Sequence, residues 1–173
     1  MTEAEQNTAS TRPVDAQQRA LDFTKSELFD RAFKEGMALV DETAAYLDGP
    51  GRAASKRLTR AAALAYAGES MRLTTRLMQV ASWLLVQRAV RDGEIAYAEA
   101  SSDKYRLIAR EGQSSTFAGA DELPEALKTL IIRAGAVYER VRRLDETMYG
   151  EGPGEPANAV SDQMAKLHAA FGR

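Results

Sequence analysis

The chain has 173 residues, of which 45% are hydrophobic and 28% charged, with a formal net charge of −2 and no cysteine. This length is sufficient for one domain with its own core, and the excess of strong helix formers over β-branched and aromatic residues predicts an all-α fold. The missing cysteines exclude disulfides and thiolate sites, and the acidic balance gives no global attraction to nucleic acid or anionic lipid. The missing cysteines are also compatible with a reducing compartment, so a cytoplasmic protein is expected, and no apolar run is long enough to span a membrane.

The first part of the chain consists of a polar segment followed by a predicted helix. Residues 1–22 are polar and contain Pro13, so they are predicted to form a disordered arm. Thr24 with Glu27 three residues later fits a capping box, which predicts a first helix over residues 26–48. Its apolar residues recur at steps of three, four and seven: Phe29, Phe33, Gly36, Val40 and Leu47. A short Gly-Pro-Gly connection follows, so the next helix is expected to fold back antiparallel.

The most informative stretch runs over residues 52–92 without an internal proline and is predicted to form one helix of about 60 Å. At about 100° per residue, its apolar side chains fall into two arcs, which predicts two neighbouring helices. The first arc contains Ala62, Tyr66, Leu73, Leu77, Val80 and Leu84. The second arc contains Leu64, Ala67, Met71, Met78, Leu85 and Ala89. A third apolar group, Trp83, Val86 and Val90, lies on the outer face and requires a separate cover.

The next region is mixed and then becomes regular again. Residues 94–121 are predicted to hold a weak helix followed by a loop. Pro124 fits the first turn of a further helix, because a strict heptad of apolar residues follows it. These residues are Leu127, Leu130, Ala134, Val137, Val141, Leu144 and Met148. The heptad is typical of a helix in a bundle or coiled coil.

Together these elements predict an antiparallel three-helix bundle with one long central helix and a short extra helical segment. The bundle domain is predicted to cover residues 23–149, between the arm of residues 1–22 and a flexible tail of residues 150–173. The tail opens with a Gly- and Pro-rich linker. It then carries four apolar residues at helical spacing: Val160, Met164, Leu167 and Phe171. The tail is either an inert end or a short recognition helix that binds a groove of a partner.

The apolar group of Trp83, Val86 and Val90 also has two interpretations. In the first, residues 94–121 fold back over it and bury it in the protomer. In the second, it is a dimer or partner surface, because tryptophan is a frequent anchor of protein interfaces.

The sequence lacks the parts of an enzyme or a metal site. Its one histidine, His168, lies in the tail, and no His and Glu ligands occur at the spacings used on helices. A serine nucleophile would therefore lack a base. Arg52, Lys56 and Arg60 follow one another at four-residue steps, but the basic stripe stops there, so nucleic-acid binding is not expected. We predict a protein with no catalytic residue, no bound metal and no cofactor.

Two strings of the sequence carry a family resemblance: residues 35–52 with Ser55-Lys56, and above all residues 69–90, from Glu-Ser-Met-Arg-Leu to Val-Gln-Arg-Ala-Val. They resemble the alphaproteobacterial regulator of CtrA degradation family, strongly over residues 23–110 and more loosely in the last helix. The resemblance implies a dimeric three-helix bundle with a flexible C-terminal tail. It also implies an adaptor that helps the ClpXP protease degrade cell-cycle substrates such as the master regulator CtrA. The implied partners further include a response-regulator-like primer of the protease and a cyclic di-nucleotide receptor.

The residue pattern and the resemblance favour the same kind of function. A chain without catalytic parts, but with a long central helix and an apolar tail, suits a protein that raises the effective concentration of its partners. The predicted function is a non-enzymatic protease adaptor, in which the bundle docks on a primed protease while another surface or the tail holds cargo. The alternative is a helical dimerisation, scaffold or regulatory binding module without a role in proteolysis.

Overall fold

The computed structural model describes residues 12–107 and 118–150, with side chains from residue 17 onward. Every regular element in these two ranges is helical, which confirms the all-α prediction. In chain order the helices are α1 (Arg12–Thr24), α2 (Glu27–Asp48), α3 (Pro50–Ser55), α4 (Arg60–Arg91), α5 (Tyr97–Ala100) and α6 (Glu125–Tyr149). A single 3-10 turn, Ala120–Glu122, precedes α6.

Three long helices, α2, α4 and α6, pack around one apolar core and form the bundle. Helix α2 is antiparallel to α4, because Asp30 near its start pairs with Arg91 at the end of α4, at 3.0 Å. The ion pairs between α2 and α6 also run in opposite order along the two helices: Glu35 with Arg140, and Glu42 with Arg133. The predicted helical bundle is therefore confirmed, and α2 has the predicted antiparallel orientation.

Helices α4 and α6, in contrast, are parallel. Trp83 bonds to Asp145, and four residues further along both helices Gln87 bonds to Tyr149. The end of α4 and the start of α6 therefore lie at opposite ends of the bundle, and residues 92–124 link the one to the other. We call residues 92–124 the crossover segment. This pair differs from the predicted antiparallel arrangement, since a 33-residue connection leaves enough chain for the return.

The start of α2 lies close to the predicted one. Helix α2 spans Glu27–Asp48, as expected, but its N-cap is Ser26, whose Oγ accepts a hydrogen bond from the Phe29 amide at 3.3 Å. Thr24 is buried and donates its own hydroxyl to the Leu21 carbonyl at 2.8 Å, which ends α1. The capping residue is therefore two positions later than the sequence pattern indicates.

Helix α1 occupies sequence for which composition predicts a disordered arm. It starts at Arg12 and packs against α4 and α6, with Ala20 completely enclosed and Leu21 and Phe23 against the core. This differs from the prediction for residues 1–22, because one turn with three apolar side chains is sufficient to anchor a mostly polar helix. The first eleven residues lie outside the described part of the chain.

The long run of residues 52–92 is two helices and not one. Helix α3 ends at Ser55 and α4 begins after Thr59, whose Oγ1 accepts a hydrogen bond from the Ala62 amide at 3.3 Å. Serine and threonine hydroxyls that bond locally to the backbone compete with a continuous helix, which accounts for a break without proline. Since Arg52 and Arg60 lie on different helices, the predicted basic stripe is not a face of one helix.

Two glycines of the crossover segment differ in their surroundings and give a paired prediction. Gly93 and Gly119 both have positive φ, 77° and 85°, a conformation that costs other residues about 1–2 kcal/mol. A Cβ at Gly119 would lie 2.7 Å from the Ala62 nitrogen, whereas nothing lies within 4 Å at Gly93. We therefore expect Gly119→Ala to destabilise the protein clearly more than Gly93→Ala. Urea unfolding followed by circular dichroism measures this, and equal losses would contradict the close contact of the crossover segment with α4.

Candidate protein-interaction surface

The first apolar arc of α4 is the core of the bundle, as predicted. All six of its residues are buried between α2 and α6: Ala62, Tyr66, Leu73, Leu77, Val80 and Leu84. Gly36 of α2 permits the closest approach, because a Cβ there would lie 2.6 Å from Leu84 Cδ1. Both bundle neighbours of α4 therefore pack against this one arc.

The second apolar arc of α4 is exposed, which corrects the prediction that a neighbouring helix covers it. Leu64, Met71, Met78 and Leu85 are 69%, 71%, 67% and 49% exposed. Angular position alone indicates an apolar face, but it does not indicate whether the same chain covers that face. We call these four residues the α4 stripe.

The α4 stripe has the geometry of a helix-docking seam. Its members follow one another at seven-residue steps and extend over about 31 Å at 1.5 Å per residue. Small residues lie between them and allow another helix to approach closely: Ala67, Gly68, Thr74, Thr75, Ala81 and Ser82. A seven-residue repeat follows the period of a coiled-coil seam, and methionine adapts its shape to a partner. A straight row of large apolar side chains marks an interaction site more strongly than scattered ones do.

The predicted contact patch of Trp83, Val86 and Val90 is largely internal. Trp83 and Val90 are 1% and 3% exposed, and Val86 is half-buried. Residues 97–107 of the crossover segment fold against this end of α4 and α6, which agrees with the first of the two interpretations. Trp83 and Val90 are therefore core residues of the folded protomer.

A buried carboxylate fastens the crossover segment to the bundle. Asp145 is 2% exposed, and its Oδ1 accepts a hydrogen bond from Trp83 Nε1 at 2.8 Å. Its Oδ2 accepts from Arg106 Nε at 2.9 Å, and Arg106 Nη1 also donates to the Tyr149 carbonyl at 2.9 Å. Its charge and its acidic neighbour Glu146 indicate a solvated face when the sequence is read alone. The signal for burial is its position four residues after Val141 on the apolar side of α6.

Tyr149 completes this polar cluster at the end of α6. Its hydroxyl donates to Gln87 Oε1 at 2.6 Å, and its ring stacks on Tyr97 with centroids 5.3 Å apart. Burial raises the pKa of Tyr149 to about 12, so the phenol remains a neutral donor. Tyr97 in turn donates to the Met148 carbonyl at 2.9 Å. The hydroxyls of Tyr149 and Tyr97 thus bond within the fold, whereas the Nε2 of the buried Gln87 has no hydrogen-bond partner among the described residues.

A groove lies beside the α4 stripe, and we call it the α4 groove. It measures about 600 Å³ and separates the face of α4 between Thr75 and Val86 from residues 103–107 of the crossover segment. Met78, which belongs to the α4 stripe, also lines the groove. Its opposite wall includes Tyr105 and Arg106.

The remaining site predictions concern absences and the tail. Within residues 12–107 and 118–150, no group of three or more His, Cys, Asp or Glu side chains is arranged to hold a metal ion. No helix among these residues is long and apolar enough to cross a membrane. The predicted partner-binding residues of the tail lie outside the described residues: Val160, Met164, Leu167 and Phe171.

The fold and the α4 stripe define an all-α bundle with a row of exposed apolar side chains along its longest helix. The chain matches, over residues 20–171, the family described as "Protein of unknown function (DUF1465)". It is also 57% identical to RcdA from Caulobacter crescentus CB15, whose crystal structure it matches with a TM-score of 0.64 over 76% of this chain and 99% of that chain. No curated protein sequence matches. The chain belongs to the DUF1465 family and is RcdA-like, which confirms the resemblance found in the sequence.

Proposed function

We propose that this protein is a non-enzymatic adaptor that promotes degradation of CtrA and other cell-cycle regulators by the ClpXP protease in the cytoplasm. The similarity to RcdA over nearly the whole of that chain supports a role in CtrA degradation. The single observation that carries an adaptor role is the α4 stripe, because a row of exposed apolar side chains is suited to binding protein.

The α4 stripe also supports a homodimer. A seam with identical spacing along one helix is self-complementary, so two copies related by a twofold axis can pack their stripes together. Large side chains of one copy, such as Met71, would then pack against small side chains of the other copy, such as Thr74. This dimer leaves the opposite faces of both copies open for further partners.

In this proposal delivery depends on proximity and not on covalent chemistry. One face of the adaptor contacts ClpXP carrying its response-regulator-like primer, and another surface or the tail residues Val160, Met164, Leu167 and Phe171 hold cargo. Holding both partners on one body raises the effective concentration of cargo at the protease. A cyclic di-nucleotide receptor adaptor is a further proposed partner.

The proposal is tested by reconstituted proteolysis. Purified ClpX, ClpP, the primer and CtrA are incubated with increasing amounts of this protein, and the loss of CtrA is followed on gels. The initial rate is expected to rise and then saturate. A substrate that ClpXP degrades without any adaptor is added to the same reaction as the control, and its rate should not change.

Two outcomes would contradict the proposal in different ways. An unchanged CtrA rate together with no binding to ClpX, primer or CtrA would exclude an adaptor for this substrate. An unchanged rate with clear self-association would favour the alternative of a dimerisation or scaffold module without a role in proteolysis.

A further inference from the structure

The described chain ends beside the α4 groove. Arg106, which lines the groove, donates a hydrogen bond to the carbonyl of Tyr149, the residue before Gly150. Trp83 near one end of the groove bonds to Asp145 of α6, one turn before that point. Residues 151–173 therefore begin next to the end of the groove formed by Trp83 and Val86.

The tail sequence matches the groove in length and in chemistry. At 100° per residue, its four apolar residues fall within an arc of about 60° on a helix: Val160, Met164, Leu167 and Phe171. From the first to the last of them a helix rises about 16 Å. The groove face of α4, from Thr75 to Val86, covers the same number of residues and the same distance. The ten Cα-to-Cα steps from Gly150 to Val160 span up to about 33 Å, so the groove is well within range.

We propose that residues 157–171 dock in the α4 groove of their own chain, as a helix antiparallel to α4. Val160 then lies near Val86, and Phe171 lies near Thr75. The lining of the groove is about half apolar, and the apolar residues of the tail contact this part: Met78, Val86 and Tyr105. The opposite, polar side of the tail helix faces water. This docking is independent of the delivery role and stands or falls without it.

Docking in the same chain would regulate the α4 stripe. Met78 belongs both to the stripe and to the groove, so a docked tail and a second copy of the protein cannot both cover it. The tail is attached to the bundle and competes at a high effective concentration. A partner that removes the tail would therefore also expose Met78 and make the whole stripe available to a second copy.

The test uses a nitroxide on the tail of the full-length chain. The natural sequence has no cysteine, so Ser161→Cys provides one labelling position. In ¹⁵N-labelled protein, docking is expected to cause strong loss of the amide signals of Met78, Ser82 and Lys104 near the groove. The signals of Glu42, on the other side of the bundle, should keep their intensity. Unchanged signals around the groove would overturn the proposal.

Two controls distinguish docking by the apolar face of the tail from an effect of added charge, and docking within one chain from contact between two copies. The substitutions Leu167→Asp and Phe171→Asp should restore the groove signals, whereas Ala165→Asp and Ala169→Asp, which add the same charge on the opposite helical face, should not. Equal effects of the two pairs would overturn the proposal.

The second control mixes ¹⁵N-labelled protein without a nitroxide and nitroxide-carrying protein without ¹⁵N. The amide signals of this mixture should show no loss of intensity. A loss equal to that in the single-chain sample would instead assign the contact to a second copy.

Discussion

Replacing Asp145 with alanine is expected to lower the free energy of unfolding by about 3 kcal/mol, the low end for breaking a buried ion pair. One enclosed carboxylate accepts hydrogen bonds from Trp83 and from Arg106, so its removal leaves an indole N–H and a guanidinium without their partner. The loss stays at the low end because the Arg106 side chain is 20% exposed and keeps its bond to the Tyr149 carbonyl. Urea unfolding followed by the fluorescence of Trp83, the single tryptophan, measures the change.

Two further variants identify the cause of this loss. Asp145→Asn keeps an oxygen that accepts from Trp83 but removes the charge opposite Arg106, so it should fall between alanine and the natural residue. Glu42→Ala removes an exposed pair with Arg133 and should change stability little. Similar losses for Asp145→Ala and Glu42→Ala would show that Asp145 is not the fastening point of the crossover segment.

Placing aspartate at Leu64 and Met71 is expected to abolish self-association while the protomer remains folded. Both side chains are more than two-thirds exposed, so the fold does not depend on them. In the proposed dimer they are buried, and the desolvation of added carboxylates costs about 3 kcal/mol or more, which raises the dissociation constant roughly a hundredfold or more. Sedimentation should then report the mass of one chain, 18.9 kDa, with unchanged helical circular dichroism.

The matched control places aspartate at two exposed apolar residues outside the α4 stripe. Leu28 and Ile132 are 59% and 72% exposed, so the substitutions Leu28→Asp and Ile132→Asp add the same charge to the surface. They should leave the dimer intact. A protein that stays monomeric at every concentration even when Leu167→Asp and Phe171→Asp release the tail, or a dimer that the control pair dissociates equally well, would argue against the stripe as the interface.

The parts of the fold that periodicity predicts correctly are those in which one side of a helix is buried. The arc from Ala62 to Leu84 is the core, and the heptad after Pro124 becomes the buried side of α6. The angle between side chains on α4 also separates a second apolar face correctly. Periodicity does not indicate how many helices of the chain are available to cover that face. The prediction therefore places Met71 between two helices, although this side chain is exposed.

Other differences depend on polar groups whose partners are distant in sequence. The sequence pattern indicates a surface position for Asp145. Its burial depends on the contact with Arg106, which lies 39 positions earlier in the chain. The break before α4 depends on how the Thr59 hydroxyl bonds to the backbone, and the direction of α6 depends on the path of the crossover segment. Helix propensity and apolar spacing do not report these contacts, because each results from tertiary packing.

The parallel pairing of α4 and α6 has a consequence for how fast the protein folds. An antiparallel hairpin such as α2–α4 can begin near its turn and extend, so that each new contact closes a short additional loop. In the parallel pair every contact joins residues about equally far apart in sequence, with a separation of 62 positions both for Trp83 and Asp145 and for Gln87 and Tyr149. The first contact between these two helices must therefore overcome the entropy of closing the whole intervening chain. We expect docking of α6 to limit the folding rate, at a speed below that of up-and-down bundles of similar size.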